Sequence, residues 1–154
     1  MVRPEIRWID SADTCDQSGG LVDISEWKPL LLSDVYICVF LTIGEPGVRG
    51  AALFQLVVAT PEGIQKCRPD TALDEMLQSF KECYPGTPLP ESMKTFDVGS
   101  SWGPLLIVDG WNWEDVHSQL EHRVAACERE TWDESLECLR KKFWWEYEGM
   151  IRKV

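Results

Sequence analysis

Two uninterrupted apolar runs in the first half of the chain give its strongest hydrophobic pattern. Val, Ile, Phe and Thr dominate residues 35–43, and residues 51–59 are similar; neither run contains a charged side chain. Residues 44–50, between the runs, contain three glycines and a proline. Strand-forming runs around a Gly/Pro connector are typical of an antiparallel hairpin. Because both runs are apolar on both faces, we expect other segments to cover this hairpin.

Apolar residues at helical spacing predict three helices after the hairpin. They span residues 72–83, residues 112 to about 127, and a segment that begins at Thr131. Asn112 is a suitable N-cap for the second helix, and Thr131-Trp132-Asp133-Glu134 fits the capping box of the third. These helices are the segments that we expect to cover the hairpin.

Shorter patterns predict the remaining strands. Residues 2–9 form an edge strand with Pro4 near its start, and residues 105–108 form a short buried strand. Prolines after residue 84 predict irregular structure as far as about Gly103. In residues 143–148, Phe143, Trp145 and Tyr147 alternate with Trp144, Glu146 and Glu148. This period of two favours a final strand over a continued helix.

Together these elements predict one domain, residues 1–154, with an α+β fold. Its antiparallel sheet is centred on the hairpin at residues 35–60 and is covered by about three helices. A chain of 154 residues can bury a core without disulfides or metals.

The charge of the chain is strongly negative and unevenly distributed. There are 26 acidic and 15 basic residues, a formal net charge of −11. Residues 10–34 hold six acids and one lysine, and residues 109–148 hold eleven acids and five bases. An acidic surface repels nucleic acid and anionic membranes and attracts basic partners, although it also simply favours solubility. We therefore expect no nucleic-acid or membrane partner.

No sequence pattern indicates export, a metal or a cofactor. There is no signal peptide and no membrane span, so we expect a cytoplasmic protein. The six cysteines show no C-x-x-C spacing, which favours reduced thiols and leaves no metal site, although pairing stays open. A phosphate-binding glycine loop is also missing, and we expect no cofactor.

The candidate catalytic patterns are weak. Residues 99–103 fit the letters G-x-S-x-G but lack the preceding strand and following helix of a nucleophile elbow. His117 and His122 are five residues apart and do not share a helix face. Glu146 and Glu148 lie on one face of the predicted strand, where paired carboxylates can serve hydrolysis. We expect no enzyme, and a small carboxylate-based hydrolase is the alternative.

Tryptophan is the most unusual feature of the composition. Six of the eight Trp residues lie between residues 102 and 145, interleaved with acids. Trp is enriched in the residues that dominate binding energy at protein interfaces. Trp102 and Trp111 fall in predicted loops and are the better candidates for exposed contacts. Core packing is expected for Trp113, Trp132 and one of Trp144 and Trp145.

Several of these segments resemble the immunity protein 8 family. Leu105-Leu106-Ile107-Val108-Asp109, followed by Trp111-Asn112-Trp113 and a helix, resembles the strand–turn–helix unit of that family. The Thr131–Leu136 segment, followed by Trp145-Glu146-Tyr147-Glu148, resembles its closing pattern. Residues 53–61 are similar to its central strand.

This resemblance implies an immunity protein of a bacterial polymorphic-toxin system. Such a protein binds a cognate toxin domain stoichiometrically and without catalysis, and a basic toxin, often a nuclease, would suit the acidic surface. A generic acidic adaptor is a further alternative, and the choice between monomer and homodimer stays open. The predicted partner-binding residues are Trp102, Asp109, Trp111, Glu114, Glu146 and Glu148.

Overall fold

The computed structural model describes residues 1–67, the backbone of residues 93–96, and residues 104–146. The predicted helix at residues 72–83 lies outside the described residues. So do Trp102, Glu148 and the G-x-S-x-G segment.

The first half of the chain forms an antiparallel meander. Strand β1 spans Glu5–Asp10, β2 spans Tyr36–Gly44 and β3 spans Ala52–Ala59. β2 lies between the other two and pairs with β3 along the whole hairpin. The register of β1 against β2 shifts between Ile6 and Trp8, so Arg7 forms a bulge. The predicted hairpin and the edge position of β1 are both confirmed.

A short helix leaves the end of β3. Helix α1 spans Pro61–Cys67. Thr60 caps it, because its hydroxyl accepts a hydrogen bond from the Gly63 N–H at 3.2 Å and its carbonyl accepts one from Ile64. None of the three predicted helices includes this segment. Thr60 followed by proline is nevertheless a local signal for a helix start, since proline suits the first helical position.

The other side of β3 is completed by the second half of the chain. Strand β4, Met93–Phe96, pairs antiparallel with β5, Leu105–Val108, and β5 runs parallel to β3. β4 corrects the expectation of irregular structure up to residue 103. The prolines that support that expectation end at residue 90, so the four residues of β4 keep their backbone N–H groups for pairing. The sheet is mixed but mostly antiparallel.

Two longer helices follow β5. Helix α2 spans Trp113–Ala125 and α3 spans Trp132–Lys142. Their predicted caps are present: the Asn112 side chain accepts from the Asp115 N–H, and the Thr131 side chain accepts from the Glu134 N–H, both at 3.2 Å. Strand β6, Trp144–Trp145, then pairs antiparallel with β3, which confirms a strand rather than a continued helix at these two residues.

The core lies between one face of the sheet and helices α2 and α3. Alternate residues of β2 and β3 are buried on that face, together with the apolar stripes of the helices. Phe143 packs edge-on against Phe54 with ring centroids 6.1 Å apart. The α+β fold is therefore as predicted. The buried residues of this core include Ile37, Val39, Leu41, Ile43, Phe54, Leu56, Val58, Val116, Leu120, Val124, Leu139 and Phe143.

Close packing of α1 against the start of β2 generates a stability prediction. A Cβ added to Gly63 would lie 2.0 Å from the Val35 carbonyl oxygen. We expect Gly63→Ala to lower the free energy of unfolding by about 1–3 kcal/mol, measured by urea denaturation, because the backbone must shift. Gln65→Ala, at an exposed position of the same helix, should stay within about 0.5 kcal/mol. Equal midpoints for both variants would contradict this packing.

Candidate functional site

The described candidate residues lie at the two ends of the sheet. Ile107 of β5 pairs with Ala59, so Asp109 lies beyond the C-terminal end of β3. Glu146 lies at the other end, where its backbone N–H donates to the Leu53 carbonyl at 3.0 Å. The strand between Leu53 and Ala59 is about 20 Å long at ~3.3 Å per residue. The fold therefore separates Asp109 and Glu114 from Glu146 into two surfaces.

The first surface is an acidic edge, defined by Asp109, Glu114 and Asp115. All three residues are exposed. Glu114 and Asp115 lie in the first turn of α2, where the positive end of the helix dipole favours carboxylates. Within the part of the chain that the structure describes, no ion pair involves any of the three. Their negative charge therefore faces solvent.

Trp111 lies beneath this acidic edge instead of on it. Only 6% of the residue is exposed. Its ring meets that of Trp27 edge-on at 5.0 Å and stacks near Trp113 at 6.4 Å. The expectation of an exposed Trp111 is thus corrected: the position is in a loop, but Trp27, distant in sequence, covers it. Trp111 connects the loop between β1 and β2 to the start of α2.

The same connection joins the ends of the two acidic segments of the sequence. The backbone N–H of Trp111 donates to the Leu32 carbonyl at 2.7 Å, so the end of the 10–34 segment lies beside the start of the 109–148 segment. In that loop, hydrogen bonds from the Ser25 hydroxyl and the Ser25 backbone N–H hold the pKa of Asp23 below its usual value. The fold thus joins the end of the first acidic segment of the sequence to the start of the second.

The second surface is a groove at the opposite end of the sheet. It has a volume of about 310 Å³ and lies between the β2–β3 turn, α3 and β6. Apolar side chains of Trp132, Leu136 and Trp145 line it, with Glu45, Arg49 and Glu146 among the charged residues around them. An apolar side chain of a partner would fit such a groove. The charged residues around the groove are mixed in sign.

Arg7 holds one wall of this groove in place. From the bulge in β1, its guanidinium donates to the carbonyls of Gly50 at 2.5 Å, Glu45 at 2.9 Å and Val48 at 2.5 Å. These three acceptors all belong to the β2–β3 turn. One arginine thus satisfies carbonyls that the tight turn leaves without strand partners.

Glu146 is exposed and has a structural contact of its own. Its Oε1 accepts a hydrogen bond from the Leu53 N–H at 3.2 Å, which extends the pairing of β6 with β3. Among the described residues, no group of three or more His, Cys, Asp or Glu is placed to hold a metal ion.

The described cysteines are all free thiols, and Cys83 lies outside the described residues. Burial, with a further contribution from a hydrogen bond to Cys138, raises the pKa of Cys127 to about 12.

The helices beside these two surfaces lie in a part of the chain that matches a known family. The model of immunity protein 8 matches residues 90–150. This match confirms the resemblance to the immunity protein 8 family at residues 105–113 and 131–148, whereas the similarity at residues 53–61 lies outside the matched span. The matched span includes β4, β5, α2, α3 and β6, whereas the immunity protein 8 model leaves β1, β2 and β3 outside.

The other comparisons gave no relatives. Neither a curated protein nor a solved structure matches the chain. None of the helices within the described residues is long and apolar enough to cross a membrane.

The contacts of Arg7 generate a prediction for the groove. Arg7→Ala removes all three donors to the β2–β3 turn, so we expect faster hydrogen exchange of that turn and a loss of about 1–2 kcal/mol in unfolding free energy. Arg3→Ala, at an exposed position just before β1, is the matched control and should change neither quantity. Unchanged exchange in the Arg7 variant would show that the turn holds its conformation alone.

Proposed function

We propose that this protein binds a cognate bacterial toxin domain and neutralises it by stoichiometric binding, without catalysis. The observation that carries this proposal is the immunity protein 8 match at residues 90–150. The proteins of that family are immunity proteins, whose partners are toxins. In this role the chain would act in the cytoplasm, where it protects the cell that makes it.

The acidic edge supports a basic partner. Carboxylates that face solvent attract a cationic protein over distances of about 10 Å at 0.1 M salt and raise the rate of encounter. A toxin that acts on nucleic acid presents a cationic surface to its substrate, so a nuclease domain would suit this edge. Bound there, the protein would occlude or distort the active site of the toxin.

The proposed contact residues are divided between the acidic edge and the groove. Asp109 and Glu114 act directly at the acidic edge, and Trp111 positions them from below. Glu146 belongs to the groove. Trp102 and Glu148, which lie outside the described residues, complete the proposed set.

A binding experiment tests the function. We expect the protein encoded immediately upstream to co-purify with this chain and to titrate against it calorimetrically with a fixed stoichiometry. Co-expression should also remove the toxicity of that protein. A neighbour that is toxic but neither binds this chain nor is neutralised by it would contradict the proposal.

Charge reversal tests the acidic edge. Asp109→Lys combined with Glu114→Lys should slow association with the upstream-encoded protein, more strongly at low salt, because the long-range attraction is removed. Stopped-flow measurement at two salt concentrations gives both rates. The neutral pair Asp109→Asn with Glu114→Gln changes half as much charge and should give an intermediate rate. Equal association rates for all three proteins in both salts would exclude a steering role.

A further inference from the structure

Three consecutive leucines are exposed in the loop between β1 and β2. Leu30 is 85% exposed, Leu31 53% and Leu32 58%. A single exposed leucine is ordinary, but adjacent exposed apolar side chains are typical of an interaction site. We call these three residues the leucine patch.

The leucine patch is fixed to the body of the protein on its C-terminal side. The Leu32 carbonyl accepts the Trp111 N–H at 2.7 Å. Immediately after it, the Ser33 hydroxyl donates to Glu62 at 2.9 Å and the Asp34 carboxylate pairs with Lys66 at 2.5 Å. These contacts join the loop to α1 and to the start of α2.

The leucine patch is fixed on its N-terminal side as well. Ile24 is 2% exposed and belongs to the core. Trp27 packs against Trp111, and its indole N–H donates to the Cys15 carbonyl at 3.1 Å. A loop that is held at both ends loses little further conformational entropy on binding, which favours affinity.

The surroundings of the leucine patch are acidic. A Cβ placed on Gly110 would lie 3.5 Å from the Leu32 carbonyl oxygen, so Asp109, the next residue in the chain, lies beside the patch. Lys28 is the only base among residues 10–34. Lys66, the nearby base of α1, is already paired with Asp34. Among the described residues of this loop and its surroundings, acids therefore outnumber bases.

We propose that the leucine patch is the apolar centre of the toxin-binding surface, with the acidic edge as its rim. The partner that fits is a basic protein that presents an apolar pocket surrounded by Lys and Arg side chains. This inference rests on the proposed function and selects one of the two surfaces for it. The groove is the weaker choice, because its mixed charges specify no sign for the partner.

The two parts of this surface have separable kinetic roles. Desolvated leucines in a pocket contribute short-range contacts, which act mainly on dissociation. The rim carboxylates act mainly on association and on its salt dependence. Substitution of the leucines should therefore change a different rate constant from charge reversal at Asp109 and Glu114.

The test uses a double variant that carries both Leu30→Ser and Leu31→Ser, and compares its binding with that of the unaltered chain. The binding partner is the purified upstream-encoded protein, and rates are measured by surface plasmon resonance. We expect binding to weaken roughly tenfold or more, mostly through faster dissociation, because two apolar side chains lose their burial. Trp8→Ser is the control, since Trp8 of β1 is 64% exposed and lines neither the groove nor the leucine patch. It should bind as the unaltered chain does.

A second variant guards against an effect on folding. Leu30→Lys alters only the most exposed leucine and adds a charge that the basic partner should repel, so it should also weaken binding while the thermal midpoint stays unchanged.

Three results would overturn the inference. If the unaltered chain binds and the leucine variants bind equally well, the leucine patch is not the centre, although the proposed function stands. If the unaltered chain does not bind or neutralise the upstream-encoded protein, both proposals fall. If the unaltered chain is a dimer that the leucine variants convert to a monomer, the patch binds a second copy of the chain instead.

Discussion

Hydrogen bonding along both edges of β3 is the constraint on which the rest of this structure depends. β2 pairs with β3 along the hairpin on one side. On the other side, β6 pairs with the first half of β3, at Phe54 and Gln55, and β5 pairs with the second half of β3, at residues 57–59. Within the segment that matches the immunity protein 8 family, β5 and β6 therefore do not pair with each other. Its strands β5 and β6 need β3, a strand from outside the matched span.

The two candidate surfaces follow from this arrangement. Because β5 and β6 bind opposite halves of one strand, the residues that follow or flank them lie at opposite ends of the sheet. Asp109 continues from β5 toward the loop between β1 and β2, while Glu146 continues from β6 toward the β2–β3 turn. The N-terminal half of the chain supplies the second wall at both ends. Partner contacts at either end would thus combine matched and unmatched parts of the sequence.

Local patterns in the sequence predicted what depends on local physics. The hairpin, the edge strand and helices α2 and α3 follow from apolar periodicity, and the caps at Asn112 and Thr131 from short side-chain bonds to the backbone. The parallel pairing of β5, the burial of Trp111 and the position of the leucine patch depend on contacts between distant segments, which periodicity does not encode. At the candidate site, the sequence predicted which acidic residues are exposed, but it did not predict which distant segments lie beside them.

The bulge at Arg7 has a consequence beyond the turn that it supports. β1 is an outer strand of the sheet, and a long regular outer strand offers unpaired backbone groups to other chains. The irregularity between Ile6 and Trp8 interrupts that row, and it does so at a charged residue. The same residue that closes the β2–β3 turn thereby makes the outer edge a poor template for strand addition. A backbone irregularity that disfavours strand addition and a side chain that supports the wall of the groove thus belong to one residue.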